Sequence, residues 1–287
     1  MVLWQLLLYT LSAWMYYSLL AIGFGFTLRS IKFFNFSYGG AFLVGSYMAF
    51  FLYRMLGINF FVSILCSFAI SGLYLLLCYK FVFSILLRRK AKTLVSLIAS
   101  FGLLAATSAG LGMLFGNQLS LAARKLSDIY TIDILGASLN IVQVLSITVT
   151  PVIIFFLAYL RRKTRFGVAM RAIEDDSEVA ELVGISKEGT LMKIFFLSGM
   201  IGGFAGIIQA LDLGNIPASG LLIMLPTVVA SVVGGMWSFW GGILGAFILA
   251  VAQQLTVVFF GGDWIQAVPF AILIIILFIK PEGILKR

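Results

Sequence analysis

Four acids fall within five residues of one short stretch: Glu174, Asp175, Asp176 and Glu178. They lie inside RFGVAMRAIEDDSEVAELVGIS, which runs from Arg165 to Ser186. Acid–base or metal chemistry would look first to such carboxylates. The chain has no histidine, however, so it lacks the commonest metal ligand and the commonest general base. Its two cysteines, Cys66 and Cys78, sit in one apolar run, roughly 18 Å apart by helical rise, and read as packing residues. No G-x-x-x-x-G-K-[ST] motif occurs, so ATP hydrolysis by this chain is excluded. The acidic stretch is therefore better read as a surface than as a reaction centre.

Its surroundings support that reading. The chain is 62% hydrophobic and only 11% charged, against about 25% charged in a soluble domain. Its mean hydropathy is +1.11. The apolar runs are continuous, unlike the alternating segments of about 10 residues in a membrane β-barrel. The fold class expected is an all-α polytopic transmembrane bundle, a single transmembrane domain over 1–287. Candidate spans are 4–28, 37–53, 59–79, 93–116, 138–160, 191–211, 221–236, 239–260 and 264–280. That makes about 8–9 membrane segments, with room for broken or re-entrant helices. The segment 221–236 is short and carries Pro226, which leaves spanning and turning back both open. Met1–Ala21 has no basic leader and reads as the first span.

Basic residues orient the bundle. With the acidic stretch on the cytoplasmic side, seventeen of the twenty Lys and Arg fall inside. They gather at Arg29–Lys32, Lys80–Lys92, Arg161–Lys193 and Lys280–Arg287. Only Arg54, Arg124 and Lys125 fall outside. The N-terminus is expected outside and the C-terminus in the cytoplasm. The net charge of +9 is then mostly this bias, with attraction to anionic lipid, and calls for no nucleic acid.

No Asp, Glu, Lys or Arg lies deep in a candidate span. That argues against a proton-driven pump and against intramembrane acid–base enzymes. It argues less against sodium coupling, which carbonyls and hydroxyls can serve. Energy for transport is expected from outside the bilayer, and a passive scaffold is the plainer alternative.

Glycine is abundant and clustered. Gly199, Gly202, Gly203 and Gly206 give the four-residue spacing that lets membrane helices approach closely. Two other stretches, Phe34–Tyr47 and Val232–Phe247, each carry a double glycine followed by a small pair, a hint of internal repetition. Broken segments in corresponding halves point to a transport path. The path residues expected are Asn35, Phe36, Ser37, Tyr38, Gly39 and Gly45 from the first stretch, with Gly234, Gly235, Gly241 and Gly242 from the second. Asn35 and Ser37 are expected to cap the second span. Tyr38, Trp237 and Trp240 also suit plain interface anchors.

Within the acidic stretch, Gly167 is expected to break the run after Arg161–Lys163. A short helix follows, Asp175, Asp176 or Ser177 caps a second, and Gly184 stops it. Val179, Ala180, Leu182 and Val183 form an apolar stripe. Helices lying on anionic lipid usually present Lys and Arg. This one presents acids, so a protein groove suits it better.

The chain resembles the shorter permease subunits of branched-chain amino acid ABC importers. The loop, about 161–190, is similar to that family's G-x-x-x-R-A-x-x-[ED]-[DN]…A…x-G-I. Here the matching residues are Gly167, Arg171, Ala172, Glu174, Asp175, Ala180, Gly184 and Ile185. Phe34–Tyr47 resembles I-N-F-A-H-G-x-x-x-M-x-G-A-Y, and KPEGILKR resembles the family's R-P-x-G-L-[LF]-G-R close. Tyr38 stands where the motif has histidine, Phe34 for isoleucine and Ser37 for alanine. The resemblance implies an importer permease for a small polar solute, branched-chain or other amino acids, with urea and short amides carried by related permeases. It implies that the 161–190 loop couples to two ATPase subunits, which bind the ATP. A second permease, a sister chain or an identical one, and an extracellular or periplasmic binding protein complete the set. It implies no enzyme activity, no cofactor, no metal, and a home in the bacterial cytoplasmic membrane. A stand-alone secondary transporter or channel is the other reading of the residues.

Overall fold

The computed structural model describes residues 2–116, 131–134, 137–280 and 283–285. Arg124, Lys125, Lys286 and Arg287 of the charge count, and Pro281 and Glu282 of the closing motif, lie outside the described residues. The helices are α1 (Val2–Ile31), α2 (Ser37–Phe50), α3 (Phe60–Cys78), α4 (Ser84–Arg88), α5 (Thr93–Phe115), α6 (Ile141–Lys163), α7 (Arg165–Asp175), α8 (Ser177–Leu182), α9 (Lys187–Asp212), α10 (Ser219–Gly234), α11 (Phe239–Phe260) and α12 (Ala267–Ile279). Wide π turns at Phe51–Met55 and Tyr79–Phe83 extend α2 and join α3 to α4. Among the described residues six helical runs are long and apolar enough to cross a membrane. α10 and α12 are shorter.

The expected start of the fifth span at 138 shifts. Residues 137–140 form a strand, β2 (Ala137–Asn140), paired antiparallel with β1 (Thr131–Ile134). Asn140 then opens α6 with a reciprocal cap shared with Gln143. That local bond set holds the residues before 141 out of the helix.

α9 is the central helix, packed against α1, α2 and α3. Without water between helices in a bilayer, association rests on van der Waals fit, so small residues must line the contacts. They do. Ser63, Ser67 and Ser71 of α3 are buried at four-residue spacing, and Ser67 and Ser71 satisfy their hydroxyls on carbonyls of their own helix. A Cβ added to Gly45 would come 2.4 Å from the Cα of Gly203, and one on Gly206 would strike the carbonyl oxygen of Phe42.

α2 and α10 share an unusual entry. Each follows a long helix through an irregular segment, 32–36 before α2 and 213–218 before α10. Each segment carries a buried asparagine, Asn35 (0% exposed) and Asn215 (1%). Irregular backbone in a membrane protein survives only where protein or a cavity covers it. The two short helices start side by side, Gly39 against the Gly220 carbonyl. The expected segment 221–236 is thus mostly the helix α10, Ser219–Gly234, about 24 Å long by rise and starting from a buried turn, while Gly235 and Met236 fall in the turn after it. The internal correspondence is between 32–39 and 213–220. The expected pairing of Phe34–Tyr47 with Val232–Phe247 gives way, because the latter is a tight α10–α11 turn. The chain's end closes that turn: Ile284 and Leu285 donate to the carbonyls of Val233 and Gly234, 3.0 Å each.

Gly203→Val should lower the thermal midpoint of the purified protein through overpacking worth about 1–3 kcal/mol. Gly102→Val, where an added side chain meets nothing within 4 Å, should leave it unchanged. Equal midpoints in a fluorescence melt would refute this account of the α2–α3–α9 seam.

Candidate functional site

The break after the basic end of α6 falls at Thr164, whose extended backbone ends one helix and whose hydroxyl accepts from the Gly167 N–H (3.0 Å). Gly167 therefore does not break the run. It lies in the first turn of α7, pressed against the carbonyls of Leu160 and Arg161, where a Cβ would not fit. α7 is two-faced: Gly167, Met170, Ile173 and Glu174 are buried, while Arg165, Val168, Arg171 and Asp175 are exposed. Ala172 is partly buried between the faces.

Asp176 caps α8, accepting from the N–H groups of Glu178 (2.9 Å) and Val179 (3.2 Å). The backbone bonds from Val179 and Glu178 hold its carboxyl below the usual value. A lowered folded-state value means that the cap contributes above the unfolded pKa and is lost as pH falls through the folded one. Gly184 (φ +86°) is the left-handed stop. Its N–H reaches the Glu181 carbonyl and the Ile185 N–H reaches the Ala180 carbonyl, both at 3.0 Å. This is the paired closure of a Schellman motif. Ala180 (2% exposed) and Ile185 pack into the core beneath it. The expected apolar stripe splits here. Ala180 turns inward, while Val179, Leu182 and Val183 are 55%, 86% and 71% exposed.

The acids split as well. Asp175, Asp176 and Glu178 face outward. Glu174 turns into the protein, 5% exposed. One carboxylate oxygen accepts from Arg29 Nε at the end of α1 (3.2 Å), the other from Arg161 at the end of α6 (2.6 Å). Arg161 also lies over the Phe239 ring, at the start of α11. The expectation that the acids form one partner-facing surface is corrected to that extent. Charge explains the turn: two helix ends bring cations into one desolvated place, and a carboxylate must meet them. Sequence reading missed Arg29 and Arg161 as site residues. Arg29 is 145 residues from Glu174, and its only signal was its place in the last turn of a greasy helix.

The expected path residues separate into two groups. Asn35 Oδ1 accepts from the Ser37 N–H and hydroxyl, so it turns the chain into α2. Ser37 is the first helical residue rather than a cap. Tyr38 is no interface anchor: it is fully buried, its ring against Gly202 and its hydroxyl beside Gly23. Trp237 and Trp240 are both 42% exposed, as anchors would be. Gly39 and Gly45 are helix contacts. Gly234 and Gly241 press on each other, Gly235 lies under Leu285, and Gly242 faces Ala21. None of these four lines the cavities at the far end of the bundle.

Those cavities lie at the end opposite the loop. One of about 560 Å³ is framed by the start of α1, the start of α6 and the end of α9. A second, also about 560 Å³, runs beneath α10 and reaches Phe36. They share Tyr17, Gln209, Ile223 and Ile265. Together they lead from the far end toward the buried turn that opens α2. Among the described residues no group of three or more His, Cys, Asp or Glu is arranged to hold a metal.

A bundle of membrane helices with a hollow end and a braced, charged loop at the other is the build of a transport permease. The chain belongs to the family described as branched-chain amino acid transport system / permease component, whose model matches residues 6–277. It is 27% identical to the high-affinity branched-chain amino acid transport system permease protein LivH of Salmonella typhimurium, over 94% of this chain and 91% of that one. It is 27% identical to BraD of Pseudomonas aeruginosa, over 94% and 92%, and 28% identical to a probable LivH of Methanocaldococcus jannaschii, over 93% and 87%. A solved structure, PsaBC from Streptococcus pneumoniae in complex with Fab, shares the fold with TM-score 0.54 at 14% identity, over 96% of this chain and 92% of that one. The protein is a multi-pass membrane permease of a transport system.

Glu174→Gln should destabilise the protein by about 3–5 kcal/mol, because it leaves two cations facing each other in a buried place. Adding Arg29→Met should recover part of that loss. Chemical-denaturation or thermal series on the four members of this cycle would measure the coupling, and simple additivity would refute the triad.

Proposed function

We propose that this chain is the membrane-spanning permease subunit of an ABC importer carrying branched-chain or other amino acids. The observation that carries the proposal is the loop's construction. Its inner face is fixed by Glu174, Met170, Ile173 and Ala180, while its outer face offers Leu182 and Val183 bare to water. A short rigid helix with an exposed apolar patch suits a groove on a partner. The kinship with branched-chain amino acid permeases supports an ATPase as that partner. The coupling residues are Gly167, Arg171, Ala172, Glu174, Asp175, Ala180, Gly184 and Ile185. In this reading Glu174, Gly167, Ala180, Gly184 and Ile185 shape the loop, and Arg171 and Asp175 face outward.

Two ATPase subunits bind ATP and drive the cycle, so this chain is not an enzyme and needs no cofactor. A second permease, a sister chain, completes the pathway, and a periplasmic binding protein delivers substrate. The whole chain acts as one transmembrane domain in the bacterial cytoplasmic membrane. The ion pair of Arg88 with Glu188 supports the orientation, since it gathers the α4 end at the same face as the loop. That face is cytoplasmic by its wealth of Lys and Arg, with the N-terminus outside.

The test is uptake in proteoliposomes holding the full complex. Leu182→Asp with Val183→Asp should reduce ATP-dependent leucine uptake at least ten-fold and weaken co-purification of the ATPases. The permease's own melting should stay near wild type, since surface changes usually move stability by only about 0.5 kcal/mol. Uptake by this chain alone, driven by an ion gradient and untouched by the double change, would instead establish a stand-alone transporter.

A further inference from the structure

The far-end cavity contains one side chain that stability does not account for. Asp212 is the last residue of α9 and lines that cavity. A carboxylate is worst placed at a helix C-terminus, where the backbone already presents partial negative charge. It is also partly buried, which raises the cost of the charged form. Its hydrogen-bond partner among the described residues is a neutral amide: Oδ1 accepts from Asn140 Nδ2 at 3.2 Å. Among the described residues it makes no ion pair, although the chain forms three elsewhere. Glu174 at the loop end shows how this protein treats a buried acid whose role is structural: it gives it two arginines.

The neighbours of Asp212 are amides and hydroxyls. Tyr16 donates to Gln209 Oε1 (2.5 Å), which leaves the amide N–H groups of Gln209 as free donors in the cavity. Gln143 uses its oxygen on the Asn140 N–H, leaving its own N–H groups in the same position. Both glutamines line the cavity, and the rest of the wall includes Ala13, Val142, Ile208 and Ile223. The wall therefore offers one anion, the amides of Gln143, Gln209 and Gln254, several tyrosine and serine hydroxyls, and an apolar part.

We propose that Asp212 is the receptor for the ammonium group of an amino acid entering from the far end, with Gln143 and Gln209 donating to its carboxylate. The apolar wall takes the side chain. This rests on the importer reading above and names the site through which that reading would operate. The ammonium group would supply the cation that Asp212 lacks among the described residues. Among the described lining residues the donors to the carboxylate are neutral, with no arginine in either cavity. A charge-assisted contact of this kind is stronger than a neutral hydrogen bond and so favours capture of the ammonium group.

Two measurements test it. In proteoliposomes with the full complex, Asp212→Asn should lower leucine uptake about ten-fold or more, as expected for losing a hydrogen bond to a charged group. Asp212→Glu should restore part of it. Separately, Ala13→Cys in a Cys66→Ser, Cys78→Ser background places a thiol on the cavity wall. Aminoethyl methanethiosulfonate, a cation, should label it about ten-fold faster than the sulfonatoethyl reagent, and Asp212→Asn should erase that preference. Wild-type uptake in Asp212→Asn, or a reagent ratio indifferent to residue 212, overturns the proposal. A complex that carries no amino acid at all overturns the importer reading instead. In that case a cation preference that vanishes with Asp212→Asn would still support an ammonium-accepting site.

Discussion

The contact on which the rest of the structure depends is the buried triad of Glu174 with Arg29 and Arg161. Three formal charges lie where water is largely excluded, and removing them from water costs several kcal/mol per ion before any attraction is counted. Only good geometry offsets that. Here both carboxylate oxygens are used, one for each arginine, and Phe26 and Phe239 lie under the guanidinium groups. Two arginines face one carboxylate, so the set carries excess positive charge, and one guanidinium nitrogen of Arg29 has no partner among the described residues. A single contact set thereby joins the ends of α1 and α6, the loop helix α7 and, through Phe239, the start of α11. A neutral apolar plug would join the same elements with less desolvation. What ion pairs add is direction: Glu174 has one orientation that serves both arginines, and that orientation fixes how α7 lies.

Above the triad the bundle has no such anchor, and its coherence has another source. Hydroxyls in the helices turn back on their own carbonyls, as Thr27, Ser30 and Ser84 do. That satisfies them without tying helices together. Contact between helices comes from missing side chains instead, at Gly45 with Gly203 and at Gly206 with Phe42. Direct polar ties between α1 and α9 are few among the described residues: Ser198 donates to the Gly23 carbonyl at 2.7 Å, and nearer the far end Tyr16 donates to Gln209. The protein is thus held ionically at one end and by steric fit along its length.

That division explains what the sequence disclosed. Spans, loop helices and the Gly184 stop depend on neighbours within a few residues, so periodicity and capping chemistry located them to within a few positions. The 138–140 start failed because a strand pairing with 131–134 competed for those residues. Glu174 was legible as an acid on a loop, but its inward turn was not, since one partner lies 145 positions away. The glycines were legible as close contacts. Their assignment to a path was not supported for Gly234, Gly235, Gly241 and Gly242, because the same residue type serves tight turns and cavities alike. Asn215 passed unremarked beside Pro217. Its equivalence to Asn35 emerges only when both are seen to open short helices from buried turns.

Three helices reach both ends of this arrangement. α1 carries Arg29 into the triad and Tyr16 to the far cavity, and α6 carries Arg161 into the triad and Gln143 to the same cavity. α9 starts at the loop's exit, capped by Ser186, and ends at Asp212. A packed helix does not compress, so a displacement of α7 is carried along all three. α1 and α9 cross where Ser198 meets Gly23, and there Tyr38 fills the space beside Gly23 and Gly202. Sliding α1 against α9 must move that ring, and α2 with it. Tyr38 is also the position where this chain departs from the histidine of the motif it resembles. A phenol is larger than an imidazole, and its buried hydroxyl finds no protein partner here. The departure therefore sits on the crossing of α1 and α9, between the loop and the far cavity.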